Sequence, residues 1–468
     1  MSASLASLLT VREIRNKILI TLGLLLVYRI GFYIPLPGVN AQPFFDNLDD
    51  MGGAGRVFGM MSVLTGGSLG SATLLSLGVM PYISASIIFS LLAKAVPALE
   101  KISKEGASGQ RKINQYTRLA TVGICLLQSW FVIFGTLRAE GSTLLHAGIV
   151  GGDGGANGWF GLYAIVVMVA LTAGTMFIMW IGEQITEHGI GNGISLIIMA
   201  GIIANLAPAI SNYVQTGFGT QEWQRLLLFI GAFAVSVIAV VFMTKAQRRI
   251  PIQQAKQARG RQVYGGQKTY LPFKVNQAGV MPIIFGSALT MIPAMIGSAA
   301  GITFLEQSFG QQQGFWFVLT FSALIYFFAF FWTSMMFQPN EIAKNLQEGG
   351  SFIPGIRPGK PTALFLEQTM VRITLAGSTF LAVIAVMPSL VGTTGNTTDQ
   401  VFLYFTSGTS ILIVVGVALD MVEKINALLV MRNYEGAMAD PRGPNSGGGA
   451  AGGPAAGATS GWGRRSQS

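Results

Sequence analysis

Ten apolar runs, each long enough to cross a bilayer, recur along this chain at roughly Lys17 to Ile34, Ala72 to Leu92, Leu119 to Leu137, Trp159 to Trp180, Ile190 to Ile210, Leu226 to Met243, Ala278 to Ala300, Phe315 to Phe337, Ile373 to Leu390 and Val401 to Leu419. A hydrocarbon core takes about 17 to 25 helical residues to cross. No water reaches that depth, so each run must satisfy its own backbone as a helix. The spacing predicts an all-α polytopic membrane protein with ten transmembrane helices. Composition agrees: 11% of residues are charged, 51% are hydrophobic and mean hydropathy is +0.54, so counting domains by length does not apply.

One apolar stretch does not fit this scheme. Arg56 to Leu64 is nine residues long, is cut by Thr65-Gly66-Gly67-Ser68, and leads into the second run. It is too short to span. Backbone that dips into the membrane without crossing it persists only where protein buries it or where it lines a cavity. A re-entrant helix on a glycine hinge is expected here, beside a hole that the chain surrounds.

Basic residues set the orientation. With the N-terminus inside, the outer loops hold three basic residues, Arg56, Arg138 and Arg225, against eight acidic ones, Asp46, Asp49, Asp50, Glu140, Asp153, Glu222, Glu306 and Asp399. The positive-inside bias therefore places both termini in the cytoplasm. Ser2 to Asn16 carries Arg12, Glu13 and Arg15 and alternates apolar with polar residues at helical spacing, which suits an interfacial helix rather than a removable signal peptide. Cys125 is alone and is read as packing filler.

The spans are almost free of charge. Only Arg29 falls inside one, near its outer end, where it can snorkel. Ion-coupled transporters keep titrating groups at mid-depth, which disfavours that class, although an inverted-repeat solute transporter using backbone sites stays open as the alternative. An enzyme is not expected: His146 and His188 have no metal-ligand spacing, and no cofactor or metal is implied. Gly189-Ile190-Gly191-Asn192-Gly193 has no preceding strand, so its glycines are read as a tight turn and close helix packing. Uncharged polar residues are present instead: Ser84, Ser86 and Ser90, Gln128 and Ser129, and Asn276 and Gln277. Val79 and Ile83 share one helical face, as do Ile194 and Ile198.

On the inner side, Lys245 to Lys274 carries eight basic residues and no acid, including Arg248, Arg249, Lys256, Arg259 and Arg261, with Tyr264 and Tyr270 among them. Attraction to anionic headgroups accounts for the charge; docking of a large acidic partner accounts for it equally. A second loop, Gln338 to Arg372, centres on Phe352-Ile353-Pro354-Gly355-Ile356-Arg357-Pro358-Gly359, stiff at its prolines. The chain divides into an interfacial segment 1–16, an N-terminal half 17–211, span six at 212–244, the basic loop 245–274, the rest of the C-terminal half 275–435, and a Gly-rich tail 436–468 that is expected to be disordered.

Several motifs together resemble the SecY family: Tyr28-Arg29-Ile30-Gly31 with Ile34-Pro35-Leu36-Pro37-Gly38; Gly78-Val79-Met80-Pro81-Tyr82-Ile83-Ser84-Ala85-Ser86-Ile87-Ile88; Gly182 to Ser195; Leu271 to Asn276; and Pro354 to Gly359. The resemblance runs from about Arg12 to Glu435. It implies two inverted five-helix halves around an hourglass pore in a protein-conducting channel of the bacterial plasma membrane. It further implies a pore ring of Val79, Ile83, Ile194, Ile198, Ile284 and Ile413, and a plug that includes Arg56, Phe58, Met61, Leu64, Gly66 and Gly67. A lateral gate between spans two and seven would carry Ser84, Gln128 and Asn276. Docking surfaces for the SecA motor and the ribosome would use Arg248, Arg249, Lys256, Arg259, Arg261 and Arg357. Implied partners are SecE-type and SecG-type small subunits, SecA, the ribosome, signal-bearing precursors and membrane lipids. One position departs from the pattern: Arg261-Gln262 stand before Val263-Tyr264 where relatives often carry two arginines.

Overall fold

Backbone groups that cannot reach water close into helices, and the structure, a computed structural model, has a helix at each of the ten expected positions. It describes residues 12–37, 73–133, 159–215, 220–254, 257–259, 262–264, 268–300, 302–310, 314–392 and 408–439. The first half supplies α1 (Arg12–Gly31), α2 (Met80–Ala95), α3 (Pro97–Lys104), α4 (Ala107–Val132), α5 (Trp159–His188) and α6 (Gly193–Gln215). The second supplies α7 (Thr220–Lys245), strands β1 (Gln247–Gln254), β2 (Gln257–Arg259), β3 (Gln262–Tyr264) and β4 (Lys268–Lys274), α8 (Met281–Ala300), α9 (Thr303–Gly310), α10 (Phe315–Met336), α11 (Pro339–Glu348), β5 (Ser351–Phe352), α12 (Lys360–Gly392) and α13 (Gly408–Ala439). The short helices α3, α9 and α11 cannot cross a bilayer. Among the described residues, Leu162–His188, Phe315–Glu348 and Lys360–Val386 are each long and apolar enough to span on their own, and α2 with α3 forms a pair bent by 101°.

Several boundaries differ from the apolar runs. The second run begins at Ala72, but α2 starts at Met80, and residues 73–79 are a non-helical lead, buried except for the half-buried Leu74. The sixteen residues of α2 reach only about 24 Å, and the lead covers the rest of the depth. Conversely, α4 starts twelve residues before Leu119 and α5 continues past Trp180 to His188, because a helix does not stop where the membrane does. Arg12 belongs to α1 rather than to a separate segment, and α13 runs to Ala439, into the expected tail.

Packing repeats between the halves. In the first set α1 contacts α5 and α6, α2 contacts α4, α4 contacts α5, and α5 contacts α6. In the second, α7 contacts α12 and α13, α8 contacts α10, α10 contacts α12, and α12 contacts α13. Position by position these five pairings match, and α2 additionally touches α5 in the first set. Five spans is an odd number, so the second set enters from the opposite side and the repeat is inverted. The sets join where α6 packs on α13. Near the start of α1 and within α13, Ile14 and Ile425 pack with Ile190, at the turn between α5 and α6.

The turn between α5 and α6 has the close packing expected of its glycines. Thr186 donates to the Gly182 carbonyl at 2.8 Å and accepts the Gly193 N–H at 2.9 Å, while Asn192 Oδ1 accepts the Ile194 N–H at 3.1 Å as the helix cap. A Cβ on Gly193 would strike the Gly182 carbonyl oxygen. Gly193→Ala is expected to cost about 1–3 kcal/mol by overpacking, read as a lower thermal midpoint of the purified protein; an unchanged midpoint would contradict this packing.

Candidate functional site

Six aliphatic residues from four helices meet where the two halves join. Val79 stands immediately before α2 and Ile83 within it, Ile194 and Ile198 lie on α6, Ile284 on α8 and Ile413 on α13. Val79, Ile198 and Ile413 are buried members of a single apolar cluster, against which Ile83, Ile194 and Ile284 pack half-buried. Adjacent residues point into different cores: Ile283 is fully buried in the C-terminal cluster with Phe321 and Ile325, whereas Ile284 joins the shared one. All six expected ring residues are thus brought together.

The seam beside them is sparsely packed. α2 lies along α4, and α8 along α9 and α10; among the described residues α2 and α8 make no extended contact with each other. Ser84 is half-buried on α2. Gln128 on α4 buries its Oε1 with no hydrogen-bond partner in the structure. Asn276 donates from Nδ2 to the Gly279 carbonyl at 3.1 Å, so its amide serves its own turn ahead of α8. The three expected gate residues therefore do not form one hydrogen-bonded group.

The two loops 245–274 and 338–372 fold into one platform. Alternation in Gln-Arg-Arg-Ile-Pro-Ile puts Ile250 and Ile252 inward and leaves Arg248 and Arg249 exposed. β1 pairs antiparallel with β4, Ile250 opposite Leu271, and also with β5 of the other loop, Gln253 opposite Phe352. Beneath the sheet, Ile250, Phe273, Phe337, Ile353, Leu366, Met370 and Ile373 form a buried cluster, with Phe273 edge-on to Phe337 at 5.3 Å. Arg357 is exposed, and its carbonyl accepts the Thr362 hydroxyl at 2.8 Å. Lys274 reaches Glu423 of α13 at 3.1 Å, tying the platform to the last helix through an exposed pair. Arg259 lies on β2, and Lys256 and Arg261 fall outside the described residues, as do the expected plug residues Arg56, Phe58, Met61, Leu64, Gly66 and Gly67.

Two features escape a scan of apolar runs. Arg118 and Glu183 form a bidentate pair, Nη2 to Oε2 2.8 Å and Nε to Oε1 2.9 Å, between α4 and α5. Val280, before α8, also packs on the shared cluster. The signal for Val280 was present: Gly78-Val79-Met80-Pro81 recurs as Gly279-Val280-Met281-Pro282.

A family model described as SecY matches residues 73–422, most of the helical region just described. The chain belongs to the SecY family. Among curated SecY-family relatives, "Protein translocase subunit SecY" of Escherichia coli is 42% identical over 435 residues, covering 91% of this chain and 94% of that protein. The protein so named in Streptomyces coelicolor is 41% identical over 430 residues, covering 91% and 97%. Of solved structures, "The structure of a protein conducting channel" aligns with TM-score 0.60 at 17% identity, over 91% of this chain and 95% of that one. "Sec61 in the Canine ribosome-channel complex from the endoplasmic reticulum" aligns with TM-score 0.57 at 16% identity, over the same shares. At these identities the structural likeness establishes the fold, which the SecY family thus shares with those channels.

Proposed function

We propose that this chain is the central subunit of a protein-conducting channel in the bacterial plasma membrane. Unfolded secretory chains pass between the two five-helix sets through a constriction at Val79, Ile83, Ile194, Ile198, Ile284 and Ile413. Aliphatic side chains suit that position: they offer a moving polypeptide no hydrogen bonds, and a narrow apolar waist keeps out water and ions. Apolar segments leave sideways between α2 and α8. Membrane helices associate through close packing, so a seam without extended packing parts at low cost, and the unpartnered Gln128 Oε1 gives an incoming segment something to bond.

The segment with Arg56, Phe58, Met61, Leu64, Gly66 and Gly67 closes the outer side as a plug. The chain itself is a passive pore, with both termini cytoplasmic and SecE-type and SecG-type subunits alongside. Its platform, at Arg248, Arg249, Lys256, Arg259, Arg261 and Arg357, receives the SecA motor or the ribosome that drives transport. The observation that carries this reading is the aliphatic cluster shared by both halves beside a seam without extended packing among the described residues.

Proteoliposomes holding this chain, its SecE-type partner and SecA are expected to import a signal-bearing precursor when ATP is added. Absence of import with active components, or substrate-dependent uptake of a small solute without any ATPase, would overturn it.

A further inference from the structure

The lead into α2 and the lead into α8 are built alike, and we propose that Gly174 of α5 and Gly377 of α12 are paired positioning residues. They seat the two leads and so hold both gate helices, and the constriction residues on them, in the closed arrangement. The proposal rests on the channel reading above.

The two copies agree at each step. Gly78 and Gly279 both take positive φ, 58° and 64°, where any other residue would be strained. A valine follows each and starts a helix at Met-Pro: Val79 accepts from the Ile83 N–H at 3.0 Å, and Val280 from the Ile284 N–H at 3.3 Å. Ile83 and Ile284 are the constriction residues of their helices. Four residues before each glycine, the lead bonds to chain leaving the preceding span: Leu74 N–H donates to Ile34 at 3.0 Å, and Val275 N–H to Ala246 at 2.9 Å.

At those same two residues the backbone runs onto a glycine. A Cβ on Gly174 would strike the Leu74 carbonyl oxygen and lie 3.0 Å from its carbonyl carbon; a Cβ on Gly377 would lie 2.5 Å from the Val275 carbonyl oxygen and 3.3 Å from its carbonyl carbon. α5 and α12 occupy matching places in the inverted repeat. Glycines in membrane helices commonly let another helix approach. These two receive a non-helical carbonyl instead, at one register, below each helix that borders the seam. Around the first seat Thr73, Leu75, Ser76 and Leu77 are all buried, so the lead cannot move aside without carrying Val79 with it.

The test reconstitutes the complex with Gly174→Ala, with Gly377→Ala, and with Gly123→Ala, whose Cβ would meet nothing within 4 Å. Resting ion flux per assembled channel is expected to rise about tenfold in the first two, together with import of a precursor carrying a defective signal, while Gly123→Ala stays at the wild-type level. A purely structural role would lower the yield of complex and leave flux per channel unchanged, which overturns the proposal. Ile83→Asn combined with Ile198→Asn serves as reference. If it leaks and the glycine variants do not, the seats fail and the channel reading stands; if it does not leak, the channel reading fails. Should an alanine variant not accumulate, hydrogen exchange in the unmodified complex decides: amides of Leu74 and Val275 should both exchange about tenfold faster once a precursor is engaged, and a change at neither or at only one overturns the pairing.

Discussion

Asparagine at both Ile83 and Ile198 is expected to make the resting channel conduct ions. These side chains join the apolar cluster from two helices of the first half, Ile83 from α2 and Ile198 from α6. An ion meeting them must shed water without any replacement hydrogen bond. Each asparagine returns about 1 to 2 kcal/mol of that loss, and each 1.4 kcal/mol is about tenfold in flux. The double variant should therefore leak about thirty- to seven-hundredfold more than the unmodified protein in a planar bilayer.

The control lies one residue away from another ring position. Ile283 is as aliphatic as Ile284, yet it is fully buried in the C-terminal core with Phe321 and Ile325. Ile283→Asn is expected to cost about 2 kcal/mol or more of stability, by burying an unpaired amide, without raising flux through the protein that remains folded. Leak from Ile283→Asn equal to that from the ring pair would mean that the constriction is not where the cluster lies.

That contrast also marks the limit of sequence reading. Apolar runs gave all ten helix positions, since hydropathy reports directly on the medium around a segment. Hydropathy does not distinguish a helix from buried turn, so Ala72 looked like the start of a span that begins at Met80; Pro81 was the local sign of a helix start. Nor does it follow a helix into water, which is why the Arg118–Glu183 pair was missed. Period-two alternation in β1 was readable around Ile250 and Ile252, but its pairing with β5 joins residues about a hundred positions apart and has no local signature. The ring residues came from family resemblance: hydropathy does not separate Ile284 from Ile283, and the only sequence signal that does is the recurring Gly-Val-Met-Pro, which aligns Ile284 with Ile83. Asn276 was assigned to the gate by the same route, and its amide turns out to hold the lead into α8.

Arg357→Glu is expected to reduce ATP-driven import about tenfold or more by reversing a charge at the proposed docking face, with thermal midpoint and resting conductance unchanged. The platform makes this separation possible. Arg357 projects from a loop anchored independently by the buried Ile353 and by the Thr362 bond to its own carbonyl, so exchanging the exposed guanidinium leaves those anchors in place. Ile353→Asp, in contrast, puts a carboxylate into the cluster with Phe273 and Leu366, and should lower stability and import together. Arg248→Glu with Arg249→Glu tests the other loop of the same sheet. Because both arginines are exposed on β1, the central strand of the sheet, the pair should weaken ribosome binding, most visibly at low salt where surface fields are least screened. Import driven by SecA in the β1 variant, alongside its loss in Arg357→Glu, would show that one rigid platform presents two separable docking faces; equal loss in both would reduce it to a single face.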